Sequence, residues 1–150
     1  MLNSYIIKNG TLISILTGNC RQADILVENG VITKIEEHIH MPAVEIFDAS
    51  GMYVSIGWLD AHTHFAAPGT RISLIAEQDI LRQGVTYALD LGTLGPENYT
   101  SYRKELLYTT NLRFRSYLNI SNFGVAGVPG HTMDFESPED IQPEKVKAVA

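Results

Sequence analysis

The chain has 150 residues, a length that suits one ordinary domain, and its 45% of apolar residues is enough to build a hydrophobic core. Its formal net charge of −6 argues against nucleic acid or an anionic membrane surface as a partner, since both attract basic proteins. A single cysteine excludes an internal disulfide. We find neither a signal-peptide pattern nor an apolar run long enough to cross a bilayer, and we expect a cytoplasmic protein.

Two similar segments in the first third of the chain predict a β domain. Residues 5–15 and 25–35 each contain a β-branched run, then Asn-Gly, then a second β-branched run. Asn-Gly accepts the positive φ angles of a tight turn, so each segment predicts a β-hairpin. Together with residues 44–47 they predict a small antiparallel layer, which a turn at 48–51 closes. We assign residues 1–54 to this domain.

Residues 55–150 alternate between strand and helix patterns. Three strand–helix units in succession predict a parallel sheet. The last predicted helix has no stop signal, and a three-stranded parallel sheet leaves two open edges, so we expect this chain to be the front part of a longer protein. The predicted strands are 55–64, 85–91 and 114–121, and the predicted helices are 72–83, 97–111 and 143–150. The first helix has apolar residues at 72, 75, 76 and 80, and the second is expected to turn Tyr99, Tyr102 and Leu106 inward.

The first of these strands begins as an apolar run and ends in two histidines one residue apart, His62 and His64. Residues i and i+2 of an extended strand share a face, so the two imidazoles project side by side, with Asp60 on the same face. Neutral imidazoles are good ligands for zinc or a similar divalent ion. Zinc usually takes three or four ligands from protein, so the partners of this pair must come from elsewhere in the fold.

A second His-x-His pair, His38 and His40, lies in a different context. It follows a charged segment and precedes Met41-Pro42, which is typical of a strand that ends in a loop. We interpret this pair as surface residues of the β domain, because a His-x-His pattern without further support is usually a chance match.

Residues 48–64 resemble the signature of the amidohydrolase superfamily of metal-dependent hydrolases. In that family an Asp-x-x-Gly turn leads through a Pro-Gly step into Gly-hydrophobic-hydrophobic-Asp-x-His-x-His. Ile56 stands where the family usually has proline, a difference that concerns the local backbone and not the metal. With the β layer before the motif and the strand–helix pattern after it, the resemblance covers essentially the whole chain.

The resemblance implies an α/β fold, a (β/α)₈ TIM-like barrel beside a small β-sandwich to which both chain ends contribute. A barrel of this type needs roughly 250 residues, so residues 55–150 would form about three of its eight units. It implies that His62 and His64 bind one metal of a mono- or binuclear centre of zinc or another divalent ion, with Asp60 as a candidate supporting residue.

The other groups of the family's centre are expected beyond residue 150: a carbamylated lysine, two histidines and the aspartate that moves protons. No catalytic acid or base is therefore expected within this chain. We expect residues 1–150 alone to be insoluble or partly folded, and inactive, because the missing strands would leave sheet edges exposed.

The chemistry implied by the resemblance is hydrolysis, in which a metal-bound hydroxide attacks the C–N or ester bond of a small acylated or cyclic amide substrate. Residues 82–86, 90–92 and 117–121 look most like the deacetylase-type branch. Members that act on dihydroorotate carry an arginine just after the histidine pair, and residues 65–69 contain none, which disfavours that substrate. The alternatives are an adenine-type deaminase and a non-catalytic relative that has lost the metal.

His131 lies in the long glycine-rich loop that follows the third predicted strand. Barrel loops on that side line the active site, so His131 is a candidate contact for the small-molecule substrate. The oligomeric state stays open, a homo-oligomer included.

Overall fold

The computed structural model describes residues 4–42, 44–66, 72–125, 138 and 141–150. The chain divides into two compact units, Met1–Ile56 and Gly57–Ala150. Within the described ranges, no helix is long and apolar enough to cross a membrane.

The first unit is a five-stranded sheet of mixed direction. Its strands are β1 (Ser4–Ile13), β2 (Cys20–Glu28), β3 (Val31–Glu36), β4 (Glu45–Asp48) and β5 (Tyr53–Val54). They follow the order β3-β2-β1-β4, and β5 also pairs with β1. β1, β2 and β3 are antiparallel, but β4 and β5 run parallel to β1. The predicted antiparallel layer is therefore wrong for β4, because the chain crosses from the β3 edge to the far side of β1 before it enters that strand. The short β5 was not predicted.

The two Asn-Gly pairs have different structures. Asn29 and Gly30 both have positive φ angles, +51° and +79°, and connect β2 to β3, so the second predicted hairpin is confirmed. Asn9 also has a positive φ of +61°, yet β1 continues through it as one strand. Its register against β2 shifts between Ile7 and Gly10, which makes this Asn-Gly a β-bulge. The first predicted hairpin is wrong.

Hydrogen bonds from distant residues hold the bulge. The buried carboxylate of Asp24 accepts a hydrogen bond from the Asn9 N–H at 2.9 Å and another from the Ile39 N–H at 2.9 Å. The Asn9 side chain donates to Asp48 Oδ1 at 2.9 Å. Asn9 is therefore fixed by its neighbours on both sides of β1 instead of turning the chain back.

The second unit contains a three-stranded sheet with helical segments. Its strands are β6 (Trp58–Thr63), β7 (Val85–Leu91) and β8 (Arg113–Tyr117), and its helices are α1 (Tyr99–Thr109) and α2 (Pro143–Val149). The strands are parallel in the order β6-β7-β8, which confirms the predicted parallel sheet. β8 ends at Tyr117, before the predicted boundary, because the chain then turns to hydrogen-bond with the loop after β7.

The helix predicted over residues 72–83 is confirmed over residues 76–83, but it begins four residues later than predicted and is not an α-helix. The structure has a π-helical turn at Ala76–Ile80 and a 3₁₀ turn at Leu81–Gln83, which ends at the left-handed Gly84 with φ of +85°. Only two of the four apolar positions reach the core, too few to fix a continuous helix. The buried ones are Ala76 and Ile80, and the exposed ones are Ile72 and Ile75.

The core of the second unit lies between the sheet and the helical segments. The inward face predicted for α1 is confirmed, since Leu106 is buried and Tyr99 and Tyr102 pack against the core. Phe65 and Phe114 meet edge to face, with ring centroids 5.6 Å apart. The buried members of this core are Phe65, Ala66, Ala76, Ile80, Ala88, Leu94, Leu106 and Leu112.

Candidate metal centre

The end of β6 brings two imidazole rings together. The ring centroids of His62 and His64 are 5.6 Å apart, and the ring planes make an angle of 72°. His62 is exposed and His64 is half-buried, whereas Thr63 between them is buried. The two histidines therefore flank a buried residue, and their rings lie close together at the carboxyl end of the strand.

A local irregularity separates Asp60 from this pair. Asp60 is registered against Ala88, and Thr63 against Asp90, so β6 uses three steps where β7 uses two. This extra residue interrupts the strict alternation that would place Asp60 on the histidine face. The carboxylate of Asp60 instead accepts a hydrogen bond from the backbone N–H of His62 at 3.0 Å.

His64 is held in place by its ring and by its backbone. Its Nδ1 lies 2.8 Å from the hydroxyl oxygen of Thr93, and its carbonyl oxygen accepts a hydrogen bond from Leu74 N at 2.8 Å. Thr93 is fully buried in the loop after β7. Because Thr93 occupies the Nδ1 side of the ring, Nε2 is the nitrogen left to bind a further group.

This donor set fits a divalent metal ion. A neutral imidazole that donates Nδ1–H to a neighbour presents the Nε2 lone pair to a metal, an arrangement that accompanies most histidine ligands. Among the residues that the structure describes, no group of three or more His, Cys, Asp or Glu side chains is arranged to hold a metal. The described part of the chain thus brings two imidazoles together, fewer than the three or four protein ligands that zinc usually takes.

The second histidine pair belongs to the first unit. His38 and His40 are both exposed, and the residue between them, Ile39, is buried and hydrogen-bonded to Asp24. They therefore occupy a surface segment anchored by the core of the β sheet.

His131 lies outside the described residues. Tyr117 is exposed and registered against Leu91 at the end of β8. Asn119 lies in the following loop, where its side chain donates to the carbonyl oxygen of Gly92 at 3.1 Å.

Two polar residues of this region, Asp90 and Thr93, were not singled out from the sequence. Both are fully buried at the carboxyl end of β7. The signal that was available is positional: polar residues at the carboxyl ends of parallel strands are where α/β folds build their sites.

No family model matches the chain, but individual proteins do. A deacetylase of Brucella anthropi is 34% identical over 104 residues, which make up 68% of this chain and 26% of that protein. A dihydroorotase of Aquifex aeolicus is 45% identical over 64 residues, or 43% of this chain and 15% of that protein. The chain therefore spans about a quarter or less of the length of these relatives.

Solved structures share the fold over nearly all of the chain. A crystal structure of a dihydroorotase superposes with a TM-score of 0.85 at 22% identity, covering 98% of this chain and 39% of that one. A crystal structure of an adenine deaminase gives a TM-score of 0.75 at 24% identity, covering 97% of this chain and 37% of that one. The deacetylase and dihydroorotase relatives identify the chain as a relative of amidohydrolase-type proteins, and the two solved structures show that it shares their fold.

Proposed function

We propose that this protein is a metal-dependent hydrolase that cleaves the amide C–N bond, or the ester bond, of a small acylated or cyclic amide compound. The observation that carries the proposal is the pair of imidazoles at the end of β6, in which Nδ1 of His64 contacts the Thr93 hydroxyl and no described residue hydrogen-bonds to Nε2. The deacetylases and dihydroorotases among the relatives support an amide as the substrate.

In this proposal His62 and His64 hold zinc or another divalent ion, in a centre of one or two ions. When bound, such an ion lowers the pKa of a coordinated water toward neutrality and polarises the bond under attack. The part played by this chain is to hold both imidazoles side by side, one on each side of the buried Thr63 at the end of β6. Asp60 supports the position of His62 by accepting a hydrogen bond from its backbone N–H.

The rest of the centre is also part of the proposal. β6, β7 and β8 would be the first three strands of a (β/α)₈ barrel, and residues 1–54 would contribute to a β-sandwich beside it. Later strands would supply the remaining metal ligands and the aspartate that transfers protons. The greater length of the relatives supports this arrangement. A cytoplasmic location and a small-molecule substrate stay predictions.

The test is hydrolysis by the full-length protein loaded with zinc, measured on a panel of N- and O-acetylated small molecules together with dihydroorotate and adenine. We expect release of acetate from at least one acetylated compound, loss of that activity after chelation, and its recovery when zinc is restored. Release of ammonia from adenine would instead favour an adenine-type deaminase. A protein that neither binds metal nor turns over any compound would be a non-catalytic relative.

A further inference from the structure

Asp90 is a fully buried carboxylate that joins two segments of the second unit. Its Oδ2 accepts hydrogen bonds from the N–H groups of Phe65 at 3.0 Å and Ala66 at 3.1 Å. Its Oδ1 accepts a hydrogen bond from the N–H of Thr93 at 3.0 Å. One side chain thus ties the backbone just after the histidine pair to the loop after β7.

The same two segments meet again at the ring of His64. Phe65 is the residue that follows His64, and Thr93 is the residue whose hydroxyl contacts Nδ1 of the ring at 2.8 Å. Asp90 therefore fixes both the backbone that carries the imidazole and the backbone that carries its partner. The two atoms that meet at 2.8 Å, Nδ1 and the hydroxyl oxygen, thus belong to two segments that both hydrogen-bond to Asp90.

The loop that carries Thr93 is also fastened from the side of β8. The carbonyl oxygen of Gly92 accepts hydrogen bonds from Asn119 Nδ2 at 3.1 Å and from Val125 N at 3.0 Å. The carbonyl oxygen of Leu94 accepts one from Asn119 N at 2.9 Å. The residues on both sides of Thr93 are held, so its hydroxyl has a defined position and is a fixed partner for the ring.

His62 has no comparable support. No described residue forms a hydrogen bond with its ring, and its side chain is exposed. The two histidines of the pair therefore differ in preorganisation. The ring of His64 has a hydrogen-bond partner, and the ring of His62 has none among the described residues.

We propose that Thr93 and Asp90 are positioning residues for His64. The Thr93 hydroxyl accepts a hydrogen bond from Nδ1–H and so keeps His64 in the tautomer whose Nε2 lone pair is available, while Asp90 fixes the backbone of Thr93 and of residues 65 and 66 relative to each other. The inference rests on the proposed function, because the group that Nε2 would bind is the metal. It adds two residues that act through His64 without touching the metal or the substrate.

The first test removes the hydroxyl of Thr93 in the full-length protein. Thr93→Val and the smaller Thr93→Ala should bind zinc about 10- to 100-fold more weakly, the usual effect of losing a hydrogen-bond partner of a histidine ligand. Zinc affinity is measured by competition with a chromophoric chelator, and the electronic spectrum of the cobalt-loaded protein reports the ligand geometry. Thr93→Ser, which keeps the hydroxyl, should restore both affinity and spectrum.

A matched control is Thr110→Val. The Thr110 hydroxyl also forms hydrogen bonds, donating to Glu77 and accepting from Leu112 N–H. However, Thr110 precedes β8, at the opposite end of the sheet from the histidine pair. This variant should retain the zinc affinity and cobalt spectrum of the wild type. An effect equal to that of Thr93→Val would show general loosening of the unit and overturn the positioning role.

The second test is Asp90→Asn. An amide has one acceptor oxygen and cannot accept all three N–H groups, so zinc affinity should fall at least as far as in Thr93→Val. If wild-type protein binds zinc and the Thr93→Val and Thr93→Ala variants match it in affinity and spectrum, the inference is overturned and the proposed function stands. If wild-type protein itself binds no zinc or cobalt, both are overturned.

Discussion

Gly57 lies directly against the side chain of Thr86, so closely that a β-carbon on Gly57 would overlap the Oγ1, Cγ2 and Cβ atoms of the threonine. Next to this contact, Trp58 N donates a hydrogen bond to the carbonyl oxygen of Gly84 at 2.9 Å. The register between β6 and β7 shifts just after Trp58. Glycine is thus required where the strand that delivers the histidines enters the sheet.

The first prediction follows from this contact. Gly57→Ala should lower the free energy of unfolding by about 1–3 kcal/mol, because Thr86 is β-branched and cannot move its β-carbon away without moving the backbone. Unfolding in urea, followed by circular dichroism of the full-length protein, measures the change. Ser55→Ala, two residues earlier and exposed, is the control and should change stability by less than about 0.5 kcal/mol. Equal stability of the two variants would show that the strands separate easily here.

The second prediction concerns Asp24, a buried carboxylate in the first unit. Asp24→Asn should lower the free energy of unfolding by about 1–3 kcal/mol. The single amide oxygen cannot accept hydrogen bonds from both the Asn9 and Ile39 N–H groups, so one of them is left unsatisfied. Glu36→Gln is the control, since Glu36 is exposed and its ion pair with Lys34 is 3.9 Å long. Removing that charge should cost no more than about 0.5 kcal/mol.

The cost of Asp24→Asn should also depend on pH. Burial opposes ionisation of Asp24, but the hydrogen bonds from Ile39 and Asn9 and the charge of Lys8 outweigh it, so the pKa of this carboxyl is lower than usual. The charged group therefore stabilises the fold above its unfolded-state pKa of about 4, and the contribution is lost as the pH falls through the folded-state pKa. Unfolding free energies of wild type and Asp24→Asn should converge in that acid range. A constant difference down to acid pH would contradict the hydrogen-bonding role.

The third prediction compares two adjacent leucines of α1. Leu106 is buried in the core of the second unit, whereas Leu107 is 54% exposed. Leu106→Ala should therefore cost about 2–5 kcal/mol through lost burial and the cavity it leaves. Leu107→Ala should change stability by less than about 0.5 kcal/mol. Chemical denaturation gives both values, and a reversed ranking would mean that α1 presents another face to the sheet.

Local pattern was sufficient for the elements whose partners lie close in sequence. β7 was predicted at its observed bounds because a β-branched and apolar run stands between glycines, and the Asn29-Gly30 hairpin was predicted from its turn residues. Asn9 has the same turn signal, but its hydrogen bonds to Asp24 and Asp48 keep it within a continuous strand. These partners lie 15 and 39 residues away, which a local pattern does not reveal.

The candidate site likewise combines a local feature, which the sequence predicted, with a contact between distant residues, which it did not. The spacing of His62 and His64 is a property of one strand, so the sequence predicted that their rings lie together. The contact between His64 and Thr93 joins residues 29 positions apart and depends on the loop after β7. That loop is shaped by hydrogen bonds to residues after β8, and no periodicity in the sequence encodes them.

The last prediction uses the two His-x-His pairs as each other's control in the full-length protein. His62→Asn or His64→Asn should strongly weaken metal binding and abolish turnover, since each change removes a ligand from an ion that must also activate water. The measurements are metal per chain by elemental analysis and hydrolysis of acetylated small molecules.

His38→Asn and His40→Asn should leave metal content and rate nearly unchanged. Both side chains are exposed on the segment that Ile39 anchors to the first unit, and their stability cost should be that of a surface change, about 0.5 kcal/mol or less. Equal metal loss from both pairs would mean that strand context does not distinguish them. Full metal content and full rate in the His62→Asn and His64→Asn variants would exclude a hydrolase that depends on this pair, because no substitute imidazole stands beside them among the described residues.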